Sequence, residues 1–471
     1  MAYIRIKTNK QGRKYAYQVT AKWDPQRKQA RSTSLYLGAV DPDGNIIPKK
    51  SGCKTGERTT TPLPTARHLP VLDFGNGYLL HTLLQASKLQ IPLQTVIAQA
   101  PAIMPLLVHG VCTTAGMQHC STWLKGNIIS RLYPCQALSV QCIRKLLNTL
   151  GAASVQHSFF KAYLQGQRPA VGSIFQGAVF VSTTPQHQPW AREVQSVAHG
   201  STIHCVVDQA TEQPLFYRYH PHTLDPVADL QATRASAQAW GVACPFAWLE
   251  EGYCTLTQLQ RLQKHQVDWL IPLSQENEDY KKVVEDIGGT SATLDNGFLY
   301  RGQAFFRVQL ALEEHGWQVY AILDPAARTT ALQQLLEAGD LKEAETLLQR
   351  AGILALMSAQ ARTPEACLDA YTMSQVVAEA FTMHKEDADT MQGAGRQQRC
   401  GYLFFKFLCF LLNTALKKLL AEEFTVAEAL LNTQNLKCTL THKEVVVQAP
   451  TQQQQQIFAL CKVILPARLM C

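Results

Sequence analysis

The stretch VVDQATEQPLFYRYHPHTLDP, residues 206–226, decides how the middle of this chain folds. Two short apolar runs flank the polar turn at residues 209–214, which is the pattern of two strands joined by a tight connection. Asp225-Pro226 then supplies an N-cap and a first-turn proline, and predicts a helix that reaches Trp240. With one strand-like run before this stretch, the sequence predicts consecutive strands at residues 177–183, 202–208 and 215–219.

Beyond this helix the sequence alternates between strands and helices, with one interruption. The predicted elements are a strand at 244–249, a helix at 255–265, a strand at 267–273, a β-rich insertion at 274–352, a strand at 353–357 and a long helix from Pro364 to Asp387. A three-stranded meander followed by alternating helix and strand is the order of a ribonuclease-H-like sheet. Other α/β folds begin in the same way, so the order alone leaves the fold open.

The first third of the chain has two different patterns. Residues 3–40 alternate between apolar and polar side chains, which predicts strands, and residues 45–70 are rich in Lys, Thr and Pro, which predicts a linker. From residue 74 to about 165 the apolar spacing becomes helical, with Ser139 as an N-cap. A small helical domain beside a basic segment is compatible with DNA binding, although ordinary helix packing gives the same pattern.

Positive charge is concentrated at the N-terminus. The whole chain has a net charge of +8, but residues 1–68 alone hold fourteen Lys and Arg against four acids. Such a cluster suits a polyanion such as DNA, because bound Lys and Arg release counterions from the phosphates. A solubilising surface explains it equally well. The residues predicted to contact DNA are Arg5, Lys7, Arg13, Lys14, Lys22, Arg27, Lys28 and Arg31.

The fourteen cysteines do not form a recognisable metal or disulfide pattern. No two are spaced as C-x-x-C, and they are interpreted as small buried hydrophobes. The N-terminus has no apolar segment typical of a signal peptide, so a cytoplasmic location is expected. The most apolar stretch, residues 403–416, contains Lys406 and Asn413 and predicts a buried helix, with no membrane partner.

Several segments resemble one known protein family. WLEEGYCTLTQL (residues 248–259), VDWLIPL (267–273) and SAQARTPEACLDAY (358–371), together with the opening stretch, are similar to the catalytic core of bacterial insertion-sequence DDE transposases. FGNGYLL (74–80) and the N-terminal strands also resemble members of this family. The likeness covers nearly the whole chain, and the order and spacing of the segments are more specific than any one of them.

The resemblance implies a definite chemistry. In this family three carboxylates, from two strands and a helix, hold two Mg²⁺ ions that activate a nucleophile and stabilise the leaving oxygen on a DNA phosphodiester. Mg²⁺ takes hard oxygen ligands, and two neighbouring dications need several negative charges around them. The resemblance therefore implies Mg²⁺ as the cofactor of an active protein, insertion-sequence ends as its DNA partner, and DNA cleavage and strand transfer as its reaction.

Matched to the family pattern, this sequence keeps one of the three carboxylates. Val181 stands where the first Asp belongs, Glu250 replaces the second Asp, and Ala378 stands where the helix carries Glu. Tyr371 and Lys385 fit the same helix in register, and the resemblance implies that both contact DNA. The resemblance gives Lys385 a phosphate-contact role, although stabilisation of a helix C-terminus accounts for that lysine equally well.

Other titratable residues near these positions are predicted to be structural. Glu379 is next to Ala378, but a one-residue step turns a helix by about 100° and directs it away from the shared face. Asp208 precedes a polar turn and is expected to cap it. His204, His220 and His222 are expected to be surface histidines rather than metal ligands.

The predicted fold class is multi-domain α+β, with a ribonuclease-H-like α/β core that carries an inserted β-rich segment. The predicted divisions are a basic β module (1–45), a linker (46–70), a helical DNA-binding domain (71–168), the first part of the core (169–273), the insertion (274–352), the closing part of the core (353–425) and a C-terminal tail (426–471). Two functions remain open. One is a Mg²⁺-dependent transposase, and the other is a catalytically inactive, decayed or repurposed DNA-binding protein without a cofactor. Either is compatible with a homodimer.

Overall fold

A computed structural model gives the chain as two compact units, Met1–His68 and Leu69–Cys471. The structure describes residues 2–9, 13–24, 29–41, 46–48, 69–86, 88–134, 138–165, 171–178, 181–182, 202–220, 225–274, 277–289, 295–312, 315–338, 350–441 and 444–470. The chain is a mixed α and β protein with one large mixed sheet. Within the described ranges, every helix is too short or too polar to cross a membrane.

The first unit is an antiparallel sheet whose strands follow chain order. Its strands are β1 (Ala2–Thr8), β2 (Lys14–Asp24), β3 (Gln29–Val40) and β4 (Ile46–Pro48). Strand β2 pairs along its full length with β3, with a bulge between Ala16 and Tyr17. The strands predicted between residues 3 and 40 are therefore present.

The second unit begins with a short strand, β5 (Val71–Asp73), and then a series of helices. The helices are α1 (Gly75–Ala86), α2 (Gln90–Ile97), α3 (Ile103–Cys112), α4 (Cys120–Lys125), α5 (Ile129–Leu132), α6 (Val140–Leu150) and α7 (Ala153–Gln165), with a 3-10 turn at Met117–His119. Leu79, Leu80, Leu83 and Leu84 of α1 are buried. The Ser139 side chain accepts a hydrogen bond from the Cys142 N–H, which confirms the predicted N-cap.

Nine strands form the large sheet. They are β6 (Val171–Ala178), β8 (Thr202–Asp208), β9 (Pro214–His220), β10 (Ala243–Trp248), β11 (Asp268–Pro272), β12 (Gly297–Tyr300), β13 (Gln303–Leu312), β14 (Trp317–Leu323) and β15 (Ile353–Ser358). The spatial order is β12-β13-β14-β15-β11-β10-β6-β8-β9. Strands β6, β10 and β11 are parallel to one another, whereas the remaining neighbours pair antiparallel. The strands of the predicted insertion thus extend the same sheet beyond β11.

Helices cover both faces of this sheet. They are α8 (Pro226–Ala239), α9 (Leu256–Lys264), α10 (Glu278–Gly289) and α12 (Pro364–Phe381), whereas α11 (Pro325–Ala338), which follows β14, has no buried side chain among its described residues. Asp225 caps α8, as predicted, and Thr255 begins α9 with a capping box. His204 of β8 contacts α8, while Trp248 of β10 packs against Tyr371 of α12. In β6, the partner of His204 is Gln176 and the partner of Trp248 is Phe175. Neighbouring residues of a strand point to opposite faces of the sheet, so α8 and α12 lie on opposite faces.

The first strand of the meander does not lie where the sequence predicted it. It was expected at residues 177–183, but β6 covers Val171–Ala178. The two-residue strand β7 (Val181–Ser182) is outside the large sheet. Gly172, Ser173 and Gln176 interrupt the apolar pattern of β6, although both of its faces are buried. A strand buried on both sides needs no alternation, so its period-2 signal is absent.

The long helix predicted from Pro364 to Asp387 ends early. Helix α12 ends at Phe381, and Thr382 has an extended backbone with φ −61° and ψ 130°. Met383–His384 forms a strand, β16, that pairs parallel with Val181–Ser182. Lys385 therefore begins a separate helix, α13 (Lys385–Met391), so it does not continue the helical face of Tyr371 as predicted.

The remaining elements close the second unit. They are α14 (Arg396–Leu420), α15 (Val426–Gln434), β17 (Lys437–Leu440), β18 (Glu444–Val447), α16 (Gln452–Leu460) and β19 (Arg468–Met470). Helix α14 contains the predicted apolar stretch and is buried along most of its length. Strand β17 pairs with β5, so the segment predicted as a tail joins the beginning of the unit in a four-stranded sheet.

Candidate functional site

The surviving carboxylate of the predicted triad follows the central strand β10. Glu250 comes two residues after Trp248, and β10 lies beside β6 in parallel. The Glu250 backbone N–H donates a hydrogen bond of 2.6 Å to Oε1 of Gln176, which is the third-last residue of β6. The side chain next to Glu250 on the neighbouring strand is therefore a neutral amide.

Gln176 is an unusual residue for this position. It is 1% exposed, and its Nε2 has no hydrogen-bond partner. Because Oε1 accepts from the Glu250 N–H, the amide nitrogen lies on the other side of the group, where no acceptor contacts it. A buried donor without a partner costs about 1–3 kcal/mol, so this residue is not explained by stability.

The turn after β10 connects Glu250 to a buried polar network. Gly252 has a φ of +71°, which glycine adopts without strain, and the Tyr253 N–H donates to the Glu250 carbonyl at 3.1 Å. The turn brings the Tyr253 hydroxyl to 3.0 Å from Nε2 of His204. His204 is the cross-strand partner of Gln176, so both side chains lie on the face covered by α8.

The network continues from His204 through α8. His204 Nδ1 lies 2.8 Å from the Thr233 hydroxyl, which also lies 3.3 Å from Nε2 of His220. His220 Nδ1 is 3.2 Å from Oδ1 of Asp229. His204 and His220 are buried, so the prediction that they are surface histidines was wrong. His222 lies outside the described residues.

Burial sets the charge of this network. It lowers the pKa of His204 well below its ordinary value, and nearby His220 and Arg218 act in the same direction. Burial also lowers the pKa of His220, although the Asp229 carboxylate beside it acts oppositely. The Thr233 hydroxyl donates to the Asp229 carbonyl at 3.0 Å, so it accepts from His204. His204 is thus a neutral imidazole whose Nε2 accepts from Tyr253.

The other two matched positions lie in different surroundings. Val181 is in β7, where it pairs with Met383, whereas Ala378 is half-buried near the end of α12. The Thr382 hydroxyl donates to the Ala378 carbonyl at 2.7 Å, at the point where the helix ends. The structure therefore brings Val181 to the segment that follows Ala378, and brings Gln176, not Val181, beside Glu250.

The remaining residues of the predicted α12 face are packed or exposed as follows. Tyr371 is half-buried, with its ring 6.0 Å from that of Trp248, and Ser374 is buried. Glu379 is exposed, as the helical rotation predicted.

Asp208 accepts from the Thr211 N–H and hydroxyl, which confirms its predicted role as a turn cap. The Lys385 side chain lies outside the described part of the structure.

Part of the predicted basic surface can be located. Arg5, Lys7, Arg13 and Lys14 are exposed on the first unit. The side chains of Lys22, Arg27, Lys28 and Arg31 lie outside the described residues.

The residues beside Glu250 do not fit a pair of Mg²⁺ ions. The partnerless Nε2 of buried Gln176 is a hydrogen-bond donor, and a donor does not ligate a cation. One carboxylate and one amide also supply too little negative charge for two dications. Across the described ranges, His, Cys, Asp and Glu form no group of three that could hold a metal ion.

Comparison with known proteins gives a weak structural similarity. No protein-family model matches the chain, and no curated protein matches it. The chain is similar to a solved structure described as a piggyBac transposase synaptic complex with hairpin DNA, with 7% identity and a TM-score of 0.29. The match covers 68% of this chain and 58% of that chain, less than two thirds of the neighbour's length. A superposition of this quality establishes neither a fold nor an activity.

Sequence reasoning missed Gln176 and the buried histidines. Gln176 was missed because the first strand was predicted at residues 177–183, which begin after it, whereas β6 covers Val171–Ala178. His204 carried a usable signal, since it lies within the apolar run of residues 202–207, where a side chain on either face of a central strand is buried.

Proposed function

We propose that this chain is a DNA-binding protein of transposase descent, with a ribonuclease-H-like core whose metal site has lost its acids. It binds DNA through the basic first unit. It does not cut or join DNA strands, because the ends of β6 and β10 beside Glu250 lack the carboxylates for two-metal catalysis.

The strand order of the sheet supports the ribonuclease-H-like core. Strands β6, β8 and β9 form an antiparallel meander, and β10 and β11 add in parallel on the other side of β6. Helices α8 and α9 connect these additions, in the alternation expected for that fold. The order also makes β6 and β10 neighbours, so the ends of these two strands supply adjacent residues for a site.

The observation that carries the proposal is the contact between Gln176 and Glu250. In a two-metal site, the residues at the ends of two neighbouring strands would both be acids. Here Oε1 of Gln176 accepts a backbone hydrogen bond at 2.6 Å, and its Nε2 remains a donor. An aspartate in that place would be negatively charged and would bind a cation through its oxygens. The glutamine instead directs an N–H donor into the site, and this donor repels a cation.

Charge supports the DNA-binding part of the proposal. The first 68 residues hold fourteen Lys and Arg against four acids. Arg5, Lys7, Arg13 and Lys14 have exposed side chains, which makes them available to phosphates without any rearrangement. Positive charge of this density gives an affinity that depends on salt and only slightly on sequence.

A salt titration of DNA binding tests this function. The full chain should bind a labelled duplex, and four phosphate contacts would make the affinity fall about a hundredfold between about 50 and 200 mM salt. Deletion of residues 1–68, or alanine at Arg5, Lys7, Arg13 and Lys14 together, should abolish most of this binding. The matched control replaces exposed Lys125, Lys264, Lys417 and Lys462 of the second unit and should bind nearly as the native chain does.

A cleavage assay tests the loss of catalysis separately. No strand cleavage or joining is expected with Mg²⁺ or Mn²⁺ on substrates that carry terminal repeats. Cleavage that disappears in Glu250→Ala would mean that the site is active, and the catalytic hypothesis would replace this one. Binding that does not respond to salt would contradict the role of the basic unit.

A further inference from the structure

One face of the first sheet combines tyrosines with basic side chains. In the register of β1, β2 and β3, Arg5 pairs with Tyr17, which pairs with Tyr36. Lys7 pairs with Tyr15 two residues along. Cross-strand partners point to the same side of a sheet, and so do residues two apart in one strand. These five side chains, the tyrosine face, therefore lie together.

The rings of the tyrosine face contact one another without stacking flat. The Tyr17 and Tyr36 ring centroids are 5.4 Å apart and tilted by 54°, and those of Tyr15 and Tyr36 are 6.1 Å apart at 52°. Lys7 Nζ lies 5.5 Å from the centroid of the Tyr17 ring. Tyr36 is 38% exposed, and Tyr15 and Tyr17 are half-buried. Tilted rings leave part of their π surfaces open to a further flat group.

The opposite face of the same sheet differs. Ile4, Ile6 and Leu35 are exposed there at 57%, 52% and 64%. Leu35 precedes Tyr36 directly and pairs with Gln18. Within residues 4–9, 13–20 and 32–41, whose side chains the structure describes, the one acid is Asp41, which follows the end of β3, and the other charged residues are basic. The tyrosine face is thus distinguished by the presence of rings and cations together.

We propose that the tyrosine face binds unpaired DNA, with bases stacked on Tyr17 and Tyr36 and phosphates beside Arg5 and Lys7. The inference rests on the proposed DNA-binding function and adds the form of DNA that this surface takes. Base–aromatic stacking tolerates any sequence, because every base has a π face. Duplex DNA has already stacked its bases against one another, so it offers phosphates to this surface but no ring faces.

The charge of the surface favours a nucleic acid over other flat partners. A single strand supplies a phosphate for each base, and Arg5 and Lys7 flank the rings on the outer strand β1. The cations lie together on β1 and the rings on β2 and β3, so a single strand can stack its bases on the rings while its phosphates reach the cations beside them. Each cation that neutralises a phosphate should add about 0.7 to the slope of log affinity against log salt for a single strand.

The test compares single-stranded and duplex DNA on the full chain by fluorescence anisotropy. The probes are one labelled oligonucleotide of mixed sequence and the same strand annealed to its complement. Tyr36→Ala and Tyr17→Ala should each weaken single-strand binding about tenfold while duplex binding changes little. Lys7→Ala should reduce the salt slope for the single strand by about 0.7.

Two controls separate stacking from folding. Tyr36→Phe keeps the ring and should bind as the native chain does, and Leu35→Ala removes a neighbouring exposed side chain from the opposite face and should also be silent. Single-strand binding unchanged in Tyr17→Ala and Tyr36→Ala, with duplex binding retained, would overturn this inference and leave the proposed function intact. Failure of the native chain to bind either probe at low salt would overturn both.

Discussion

Gly401→Ala is expected to destabilise the second unit by about 2 kcal/mol or more, because a methyl group at that position has no room. An ideal Cβ on Gly401 would lie 1.8 Å from the Leu147 carbonyl oxygen. The contact is reciprocal, since a Cβ on Gly151 would lie 1.8 Å from the Gln397 carbonyl oxygen. Helices α6 and α14 therefore cross backbone to backbone at two glycines.

Two opposing effects decide the size of this loss. Alanine in a helix interior is favoured over glycine by about 1 kcal/mol. Forcing two packed helices apart costs about 3 kcal/mol, and here the obstruction is a carbonyl that cannot rotate away. The steric cost is the larger of the two, so the net effect of the substitution should be a loss of stability. Helix α14 also supports the sheet, because the Phe407 ring packs 5.3 Å from that of Tyr217 in β9.

Urea unfolding followed by tryptophan fluorescence measures this effect. The matched control is Gly395→Ala at the start of the same helix, where no atom lies within 4 Å of an added Cβ. About 0.7 kcal/mol should be lost there, from the N-cap preference for glycine over alanine. Equal unfolding midpoints for the two variants would contradict the close crossing of α6 and α14.

The sequence predicted correctly those helices and strands that are specified by residues close together in the chain. Asp225 and Thr255 cap helices where the sequence placed them, and both caps depend on residues within three positions. The apolar stretch at residues 403–416 lies in a buried helix for the same reason. Side-chain spacing and capping are short-range properties, so one sequence is enough to read them.

The residues of the candidate site are brought together by long-range strand pairings, which local sequence patterns do not reveal. Helix α12 ends at Phe381, and Met383–His384 directly after it pairs with Val181–Ser182, about two hundred residues earlier in the chain. The residue beside Glu250 is likewise fixed by the register of β6 against β10. A shift of a few positions in a predicted strand exchanged Gln176 for Val181.

The free energy of unfolding is expected to fall as the pH is lowered from about 6.5 to 4, because buried histidines resist protonation. Burial lowers the pKa of His109 to about 4, and His119 acts in the same direction. Burial also lowers the pKa of His204 well below 6.5. In this range the unfolded chain binds protons that the folded chain does not, so stability decreases with falling pH. His109 alone accounts for about 3 kcal/mol.

Variants that remove the titrating group test this cause. His109 is 1% exposed, with its ring 5.4 Å from that of Trp123 and its Nε2 unpaired. His109→Gln should flatten the dependence of the urea midpoint on pH between 6.5 and 4, and His204→Gln should flatten it further. Exposed His265→Gln is the matched control and should keep the native slope. A native slope in both buried variants would assign the acid sensitivity to other groups.

Protonation of His204 also has a local consequence for the candidate site. Neutral His204 accepts from the Tyr253 hydroxyl through Nε2, and a charged ring would carry a proton there instead. Tyr253 belongs to the turn that begins at Glu250, and its N–H donates to the Glu250 carbonyl. Acid should therefore loosen this turn before the sheet unfolds. As the pH falls, hydrogen exchange at Tyr253 should become faster relative to exchange at Trp248, and His204→Gln should remove this dependence on pH.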